Sequence, residues 1–131
     1  MTAMVRFDER RRGLVRVFVR TENSDLTPQT VTISTATGYT STSNTKCQKM
    51  GSIAEIRIEL QFGSSTATSF SGIVTVPNDI KPAKPVPLVG IDSTNDKVLT
   101  AILTTAGVIN VYRDYSTSMT VMKLQGMYFT T

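Results

Sequence analysis

Two short polar segments of the sequence hold the side chains best suited to binding a ligand. Sugars are recognised by planar polar groups together with an aromatic ring, and loops on a rigid scaffold can carry both. The segments supply these groups as Asp92, Asn95 and Asp96 in one and Arg113, Asp114 and Tyr115 in the other. Tyr39 is a third possibility. We predict ligand binding at Asp92, Asn95, Arg113 and Tyr115, although such residues are also common in β-turns.

The sequence offers few groups for catalysis. It contains no histidine, which excludes the common zinc sites and histidine-based acid–base catalysis. Its many serine and threonine hydroxyls therefore have no histidine to activate them for nucleophilic attack. Cys47 is the single cysteine, so it can form no intrachain disulfide, and we expect a small buried or half-buried side chain. We predict a protein that is not an enzyme and has no cofactor or metal.

Glu55 and Glu59 are candidates for a pair of catalytic carboxylates. Glycoside hydrolysis needs two acids held about 5 to 10 Å apart in a cleft. These two alternate with Arg57 and precede Gln61, a pattern that is typical of a solvated strand face. We interpret them as surface residues.

The net charge of +4 belongs to the first 20 residues, which hold six arginines against Asp8 and Glu9. The rest of the chain has equal numbers of basic and acidic side chains, so net charge does not recruit its partner. We interpret residues 1–12 as a basic connector or the end of a shaft, and residues 13–131 as the domain. The alternative, a phosphate-binding arm at residues 10–20, lacks interleaved aromatic residues, and we predict no nucleic-acid partner.

Alternating apolar and polar residues predict that most of the chain forms β-strands. Ile53 to Phe62 alternates strictly, with Ile56, Ile58, Leu60 and Phe62 on one face, and Leu14 to Arg20 also alternates. Further apolar runs, separated by Pro, Gly, Asn and Asp, span residues 73–76, 86–91, 98–103, 108–112 and 119–129. We predict an all-β, antiparallel sandwich or jelly-roll-like barrel of about eight strands.

The residues between the predicted strands indicate the types of connection. Residues 92–97 are expected to form a polar turn, and residues 105–107 a tight hairpin in which Gly107 can adopt a positive φ. Four prolines between residues 76 and 88 predict an extended connection and no central strand there. The Ser/Thr-rich stretch at residues 35–51 is either a loop excursion or an edge hairpin.

No apolar run approaches the roughly 20 residues that span a bilayer, and the amino terminus lacks the apolar core of a secretory signal. We expect a soluble chain without membrane insertion. If it acts outside a cell, a carrier such as a virion must deliver it.

The second half of the chain resembles the head domains of bacteriophage tail fibres and of lactococcal-type phage receptor-binding proteins. The resemblance covers residues 53–131 and rests on Val76-Pro77, Lys81-Pro82-Ala83, residues 88–91, 107–112 and 124–129. It implies a virion protein at the tail tip or baseplate, in which a homotrimeric β-barrel contacts other tail proteins and binds host cell-wall saccharide. Members often bind sugar through Trp and His, which this chain lacks, so no family binding residue is transferred to it.

Two alternatives stay open. Met119, Met122, Met127 and Phe129 offer apolar surface for a trimer, or they fill a single core. The strands can also serve a structural virion or baseplate scaffold that makes only subunit contacts.

Overall fold

The computed structural model describes residues 27–131, which form one sheet of ten strands in which every pair is antiparallel. The strands are β1 (Gln29–Thr30), β2 (Ser34–Thr35), β3 (Tyr39–Ser41), β4 (Lys46–Met50), β5 (Ile53–Ser65), β6 (Ser69–Thr75), β7 (Val86–Asp92), β8 (Lys97–Leu103), β9 (Val108–Tyr112) and β10 (Met119–Phe129). A 3-10 turn covers Asn78–Ile80. The predicted all-β, antiparallel fold is confirmed. The predicted strand at residues 14–20 and the connector at residues 1–12 lie outside the described residues.

The sheet curls into a half-barrel. Its strand order is β1-β4-β5-β10-β7-β8-β9-β6-β2, and β3 pairs with β5 beside this path. The short turn between β2 and β3 joins the last strand of the order back to β5. It is held by hydrogen bonds from the Ala36 amide to the Ile73 carbonyl and from the Tyr39 amide to the Ala36 carbonyl, both 3.0 Å long.

The long strand β5 shows the alternation expected from its sequence. Ile56, Ile58 and Leu60 are buried and Phe62 is half-buried, which confirms the apolar face. One edge of β5 pairs with β10. The other edge pairs first with β4 and then with β3, one after the other along its length. The stretch at residues 35–51 is therefore neither a loop excursion nor an edge hairpin, because its two strands pair with β5 and not with each other, and β4 also pairs with β1.

The concave side of the sheet encloses the core. Its fully buried side chains include Ile56, Leu60, Ile73, Leu103, Ile109, Met119, Met122 and Leu124. Cys47 is free and buried in this core, as expected, and burial raises the pKa of its thiol. The four apolar residues considered for a trimer contact fall into two groups. Met119 and Met122 fill the core, whereas Met127 and Phe129 are exposed.

The prediction of no central strand at residues 76–88 is confirmed, because Val86 to Leu88 pair with β8 alone, whereas the predicted extended connection ends earlier than expected. Strand β7 begins at Val86, and Pro87 lies opposite Ile102 of β8. The pairing of β7 with β10 extends only from Asp92 to Val89, so Pro87 lies beyond the part of the strand that has two neighbours. A proline near the start of a strand is tolerated because few ladder bonds need its missing amide hydrogen.

The two predicted turns are confirmed. Residues 93–96 connect β7 to β8, and the Asp96 amide donates to the Asp92 carbonyl at 2.8 Å. Gly107 has a φ of 85° in the turn between β8 and β9, where its amide donates to the Thr104 carbonyl at 2.9 Å.

Candidate functional site

The four residues predicted to bind a ligand lie together at one end of the sheet. Asp92 ends β7, Asn95 lies in the turn to β8, and Arg113 and Tyr115 follow β9. Antiparallel pairing of β7, β8 and β9 brings these positions to the same end, because Asp92 lies opposite the start of β8 and Tyr112 lies opposite Thr100.

Asp92 is the centre of this group. Its Oδ1 accepts hydrogen bonds from the backbone amides of Thr94 and Asn95, at 2.9 and 3.0 Å. Its Oδ2 accepts from the Asn95 side-chain amide and the Tyr115 hydroxyl, each at 2.7 Å. The carboxylate therefore fixes the turn after β7 and joins it to the loop after β9.

The buried side chain of Arg113 stabilises the loop after β9. Its guanidinium lies 3.6 Å from Asp92 Oδ2, and both side chains are 0% exposed. Nε donates to the Ala67 carbonyl and Nη1 to the Thr117 carbonyl, each at 2.7 Å, and Nη2 donates to the Ser65 carbonyl at 3.2 Å. One buried cation thus ties together the loop after β9 and the connection between β5 and β6.

The ring of Tyr115 lies close to two cations. The Arg113 guanidinium carbon is 4.7 Å from the ring centroid and Lys97 Nζ is 4.6 Å from it. Cations at this distance from an aromatic ring are attracted by its negative face. Tyr115 is half-buried, and its hydroxyl is already bonded to Asp92.

The electrostatics favour an ionised Asp92. Burial alone would raise the pKa of this carboxyl, but the hydrogen bonds from Asn95, Tyr115 and the Thr94 amide outweigh it and hold the pKa below its usual value. For Tyr115, burial and the bond to the Asp92 carboxylate raise the pKa of the hydroxyl. The network therefore consists of a carboxylate, a guanidinium and a neutral phenol.

This arrangement divides the predicted site residues by accessibility. Asp92 and Arg113 have buried side chains whose polar atoms form hydrogen bonds within the chain. In this conformation they stabilise the loops and are not accessible to a ligand. Asn95 and Tyr115 are half-buried. Tyr39 instead packs its ring 5.2 Å from that of Phe62. The ligand-binding role of Asp92, Asn95, Arg113 and Tyr115 stays a prediction.

An open depression of about 400 Å³ adjoins this network on the outer face of the sheet, lined by Val98, Thr100, Tyr112, Arg113 and Asp114. Tyr112 is 43% exposed and Val98 is 80% exposed. Asp114 and Thr100 are also exposed. The depression thus combines an aromatic ring, an aliphatic side chain, a carboxylate and a hydroxyl, and we call it the β8–β9 depression.

Sequence reasoning missed Tyr112 as a site residue. The sequence pattern places Tyr112 only at the end of the predicted strand at residues 108–112. The signal was present, because Ile109 and Val111 face the core and the next position, Tyr112, must then face outward. A large aromatic ring at the exposed end of a strand is an informative departure from the polar residues usual on a wet face.

Glu55 and Glu59 lie on the outer face of β5, as expected. Glu59 Oε1 accepts hydrogen bonds from the Thr42 hydroxyl at 2.6 Å and from the Asn44 side chain at 2.9 Å, and these bonds lower the pKa of its carboxyl. Glu55 accepts from Gln48 at 2.8 Å. Both carboxylates thus attach neighbouring segments to β5.

Among residues 27–131, no group of three or more Cys, Asp or Glu side chains could hold a metal ion. In the same part of the chain, no helix is long and apolar enough to cross a membrane.

The fold and the site together define an antiparallel β half-barrel with a braced loop cluster at one end and an open depression beside it. Neither a scan against models of known protein families nor a search of curated proteins finds a match to this chain.

Proposed function

We propose that this protein is a non-catalytic host-recognition module of a bacteriophage tail or baseplate, which adheres to host cell-wall saccharide. The observation that carries the proposal is the composition of the β8–β9 depression. A pyranose ring has an apolar face of C–H groups that packs on an aromatic ring, and its hydroxyls bond to carboxylates and hydroxyls. Tyr112 provides the ring, and Asp114 and Thr100 provide the polar groups.

The hydrogen-bond network around Asp92 and Arg113 supports the proposal because it makes the loops beside the depression rigid. Binding is stronger when loops need no ordering, because the entropy of ordering has already been lost on folding. Arg113 bonds to three backbone carbonyls and Asp92 to two backbone amides. These bonds fix the loop at Arg113, the residue before Asp114, and both residues line the depression.

An adhesion assay with the purified protein tests this function. We expect binding to host cells and to isolated wall polysaccharide, and a loss of at least about tenfold in Tyr112→Ala and Asp114→Asn, the change produced by about 1.4 kcal/mol. Phe129→Ala is the matched control, because it removes a ring that is 72% exposed at the other end of β10. A flat response across host wall polysaccharides would reject the proposal.

We further propose that the module is a homotrimer attached to other tail proteins in the virion. Val89 and Ile91 are 58% and 39% exposed on the outer face of β7, which supports a subunit contact there. Several heads on one particle would raise the strength of a weak saccharide contact through effective concentration. Sedimentation equilibrium should give three times the monomer mass, and a monomer at all concentrations would reject the trimer.

A structural scaffold that makes only subunit contacts is the second candidate. It is favoured by one observation, namely that Asp92 and Arg113 are satisfied entirely within the chain. The two functions differ in the Tyr112→Ala variant. Recognition predicts lost adhesion with unchanged oligomers, whereas the scaffold predicts wild-type behaviour in adhesion and an effect on assembly.

A further inference from the structure

A bulge in β6 fixes the side chain of Asn110 on β9. The pairing of these two strands changes register between Ile109 and Val111, where two residue steps of β9 correspond to four of β6. Gly72 lies in the bulged part of β6 and has a φ of 62°, which glycine adopts readily. Its amide donates to Asn110 Oδ1 at 2.7 Å. The bulge therefore holds the Asn110 side chain in one orientation.

This hydrogen bond determines which atom of the Asn110 side chain is left for a ligand. A backbone N–H can only donate, so the atom that Gly72 contacts must be the side-chain oxygen. Within residues 27–131, Asn110 Nδ2 donates to no acceptor. Asn110 is half-buried on the outer face of the sheet, because its neighbours Ile109 and Val111 face the core. The outer face thus carries an oriented donor that a ligand can reach.

Asn110 has aliphatic neighbours on the same face. It lies opposite Ile102 of β8, and Ile102 lies opposite Pro87 of β7. Ile102 is half-buried and Pro87 is exposed. The adjacent row contains Tyr112 and Thr100 of the β8–β9 depression, two residues or about 7 Å along the strands. A donor beside aliphatic surface therefore adjoins the aromatic ring of the depression.

We propose that Asn110 and Ile102 recognise the acetamido group of an N-acetylated hexosamine whose ring packs on Tyr112. The acetamido carbonyl oxygen accepts a hydrogen bond from Asn110 Nδ2, and the acetamido methyl group packs against Ile102 and leaves water. A hydroxyl at the same position of the sugar satisfies the donor but leaves Ile102 in contact with water. This inference rests on the proposed saccharide recognition and names the class of sugar.

An NMR titration of the isotope-labelled full chain with two β-1,4-linked trisaccharides tests the inference. One trisaccharide consists of N-acetylglucosamine and the other of glucose, so they differ only in the acetamido groups. We expect the acetylated trisaccharide to bind at least about tenfold more tightly, since a site with a matched donor and apolar contact discriminates by this much or more. Its saturable shifts should include the side-chain amide of Asn110 and the methyl groups of Ile102.

Asn110→Asp separates recognition from a purely structural role. Aspartate keeps an oxygen that can accept from the Gly72 amide, whereas both donors of Nδ2 are lost. We expect this variant to fold and to bind the two trisaccharides with equal affinity. Ile102→Thr keeps a β-branched side chain with less apolar surface, and it should reduce the preference several-fold. Asn78→Asp, the same change at an exposed position of the 3-10 turn, should retain the full preference.

The outcomes distinguish this inference from the proposed function. Amide spectra identify any variant that fails to fold, and two site variants are used so that one folded variant suffices. Equal binding of both trisaccharides by the wild type, or a preference that persists in every folded site variant, would overturn the inference and leave saccharide recognition standing. Binding of neither trisaccharide would also overturn it, and the proposed function fails as well only if host wall polysaccharide is not bound.

Discussion

At the scale of single residues, Asp92 and Arg113 form a buried ion pair that links the turn after β7, the loop after β9 and the connection before β6. Burying two charges is unfavourable unless they are paired and their remaining hydrogen-bonding groups are satisfied. Here the carboxylate accepts four hydrogen bonds and the guanidinium donates to three carbonyls. The pair therefore specifies the loop conformation that forms the rim of the β8–β9 depression.

Removing one partner should be strongly destabilising. We expect Asp92→Ala to lower the free energy of unfolding by about 3 to 5 kcal/mol, because the Arg113 charge stays buried without a counterion. Asp114→Ala is the control, since Asp114 is exposed, and its effect should stay within about 0.5 kcal/mol. Urea unfolding at pH 7 measures both. Equal effects in the two variants would mean that the buried pair does not hold the loops.

The same carboxylate should make stability depend on pH in the acid range. The pKa of Asp92 in the folded protein lies below the ordinary value of 3.8, so its contribution is complete above that pH and is lost as the pH falls through the lowered folded value. Asp92→Asn should be less stable at pH 7 and lose less stability than the wild type between about pH 5 and 2. Parallel pH profiles from urea unfolding would show that Asp92 does not titrate in this way.

Residue types alone selected the two polar segments but predicted neither that their side chains meet nor which of them are buried. Asp92, Asn95, Arg113 and Tyr115 converge because they occupy turns at one end of consecutive antiparallel strands, which sequence patterns locate well. Asp and Arg are usually exposed, so nothing in the sequence distinguishes this buried pair from surface residues. Tyr112 was overlooked because its strand was read only for its inward face.

Among the elements, β7 agrees with the predicted apolar run at residues 86–91, although the prolines predict an extended connection as far as residue 88. The strand accommodates Pro87 because β10 pairs with β7 only from Val89 to Asp92, and this pairing is a tertiary property. The long alternating strands β5 and β10 were predicted because their faces differ in polarity. Strands β1, β2 and β3 have two or three residues each, too few for alternation to be recognised, and they exist because β4, β5 and β6 offer edges for pairing.

Close packing of β7 against β8 predicts an intolerant glycine. A Cβ at Gly90 would lie 3.0 Å from Leu99 Cβ and 3.1 Å from the Leu99 carbonyl oxygen, neither of which can rotate away. We expect Gly90→Ala to cost about 1 to 3 kcal/mol of stability. Gly63→Ala in β5 is the matched control, since no atom lies within 4 Å of its added Cβ and its φ is not positive, and it should be neutral or slightly stabilising. Thermal unfolding measures the stability of both variants. Equal stabilities of Gly90→Ala and Gly63→Ala would contradict the close packing at Gly90.

At the scale of the whole molecule, the two ends of the half-barrel differ in chemistry. One end has the buried ion pair, the braced loops and the β8–β9 depression. The other has the exposed apolar side chains of Met127 and Phe129. A fold of this kind supports many functions, so the functional proposal depends on the depression and not on the sheet.

The most direct measurement is an NMR titration of the isotope-labelled protein with fragments of host cell-wall polysaccharide. The proposed recognition function predicts saturable shifts of the backbone amides of Val98, Thr100, Tyr112 and Asp114, with the amides of Met127 and Phe129 unchanged. These shifts should disappear in Tyr112→Ala. Shifts confined to other surfaces, or no saturable shift with any host fragment, would contradict saccharide recognition at the β8–β9 depression.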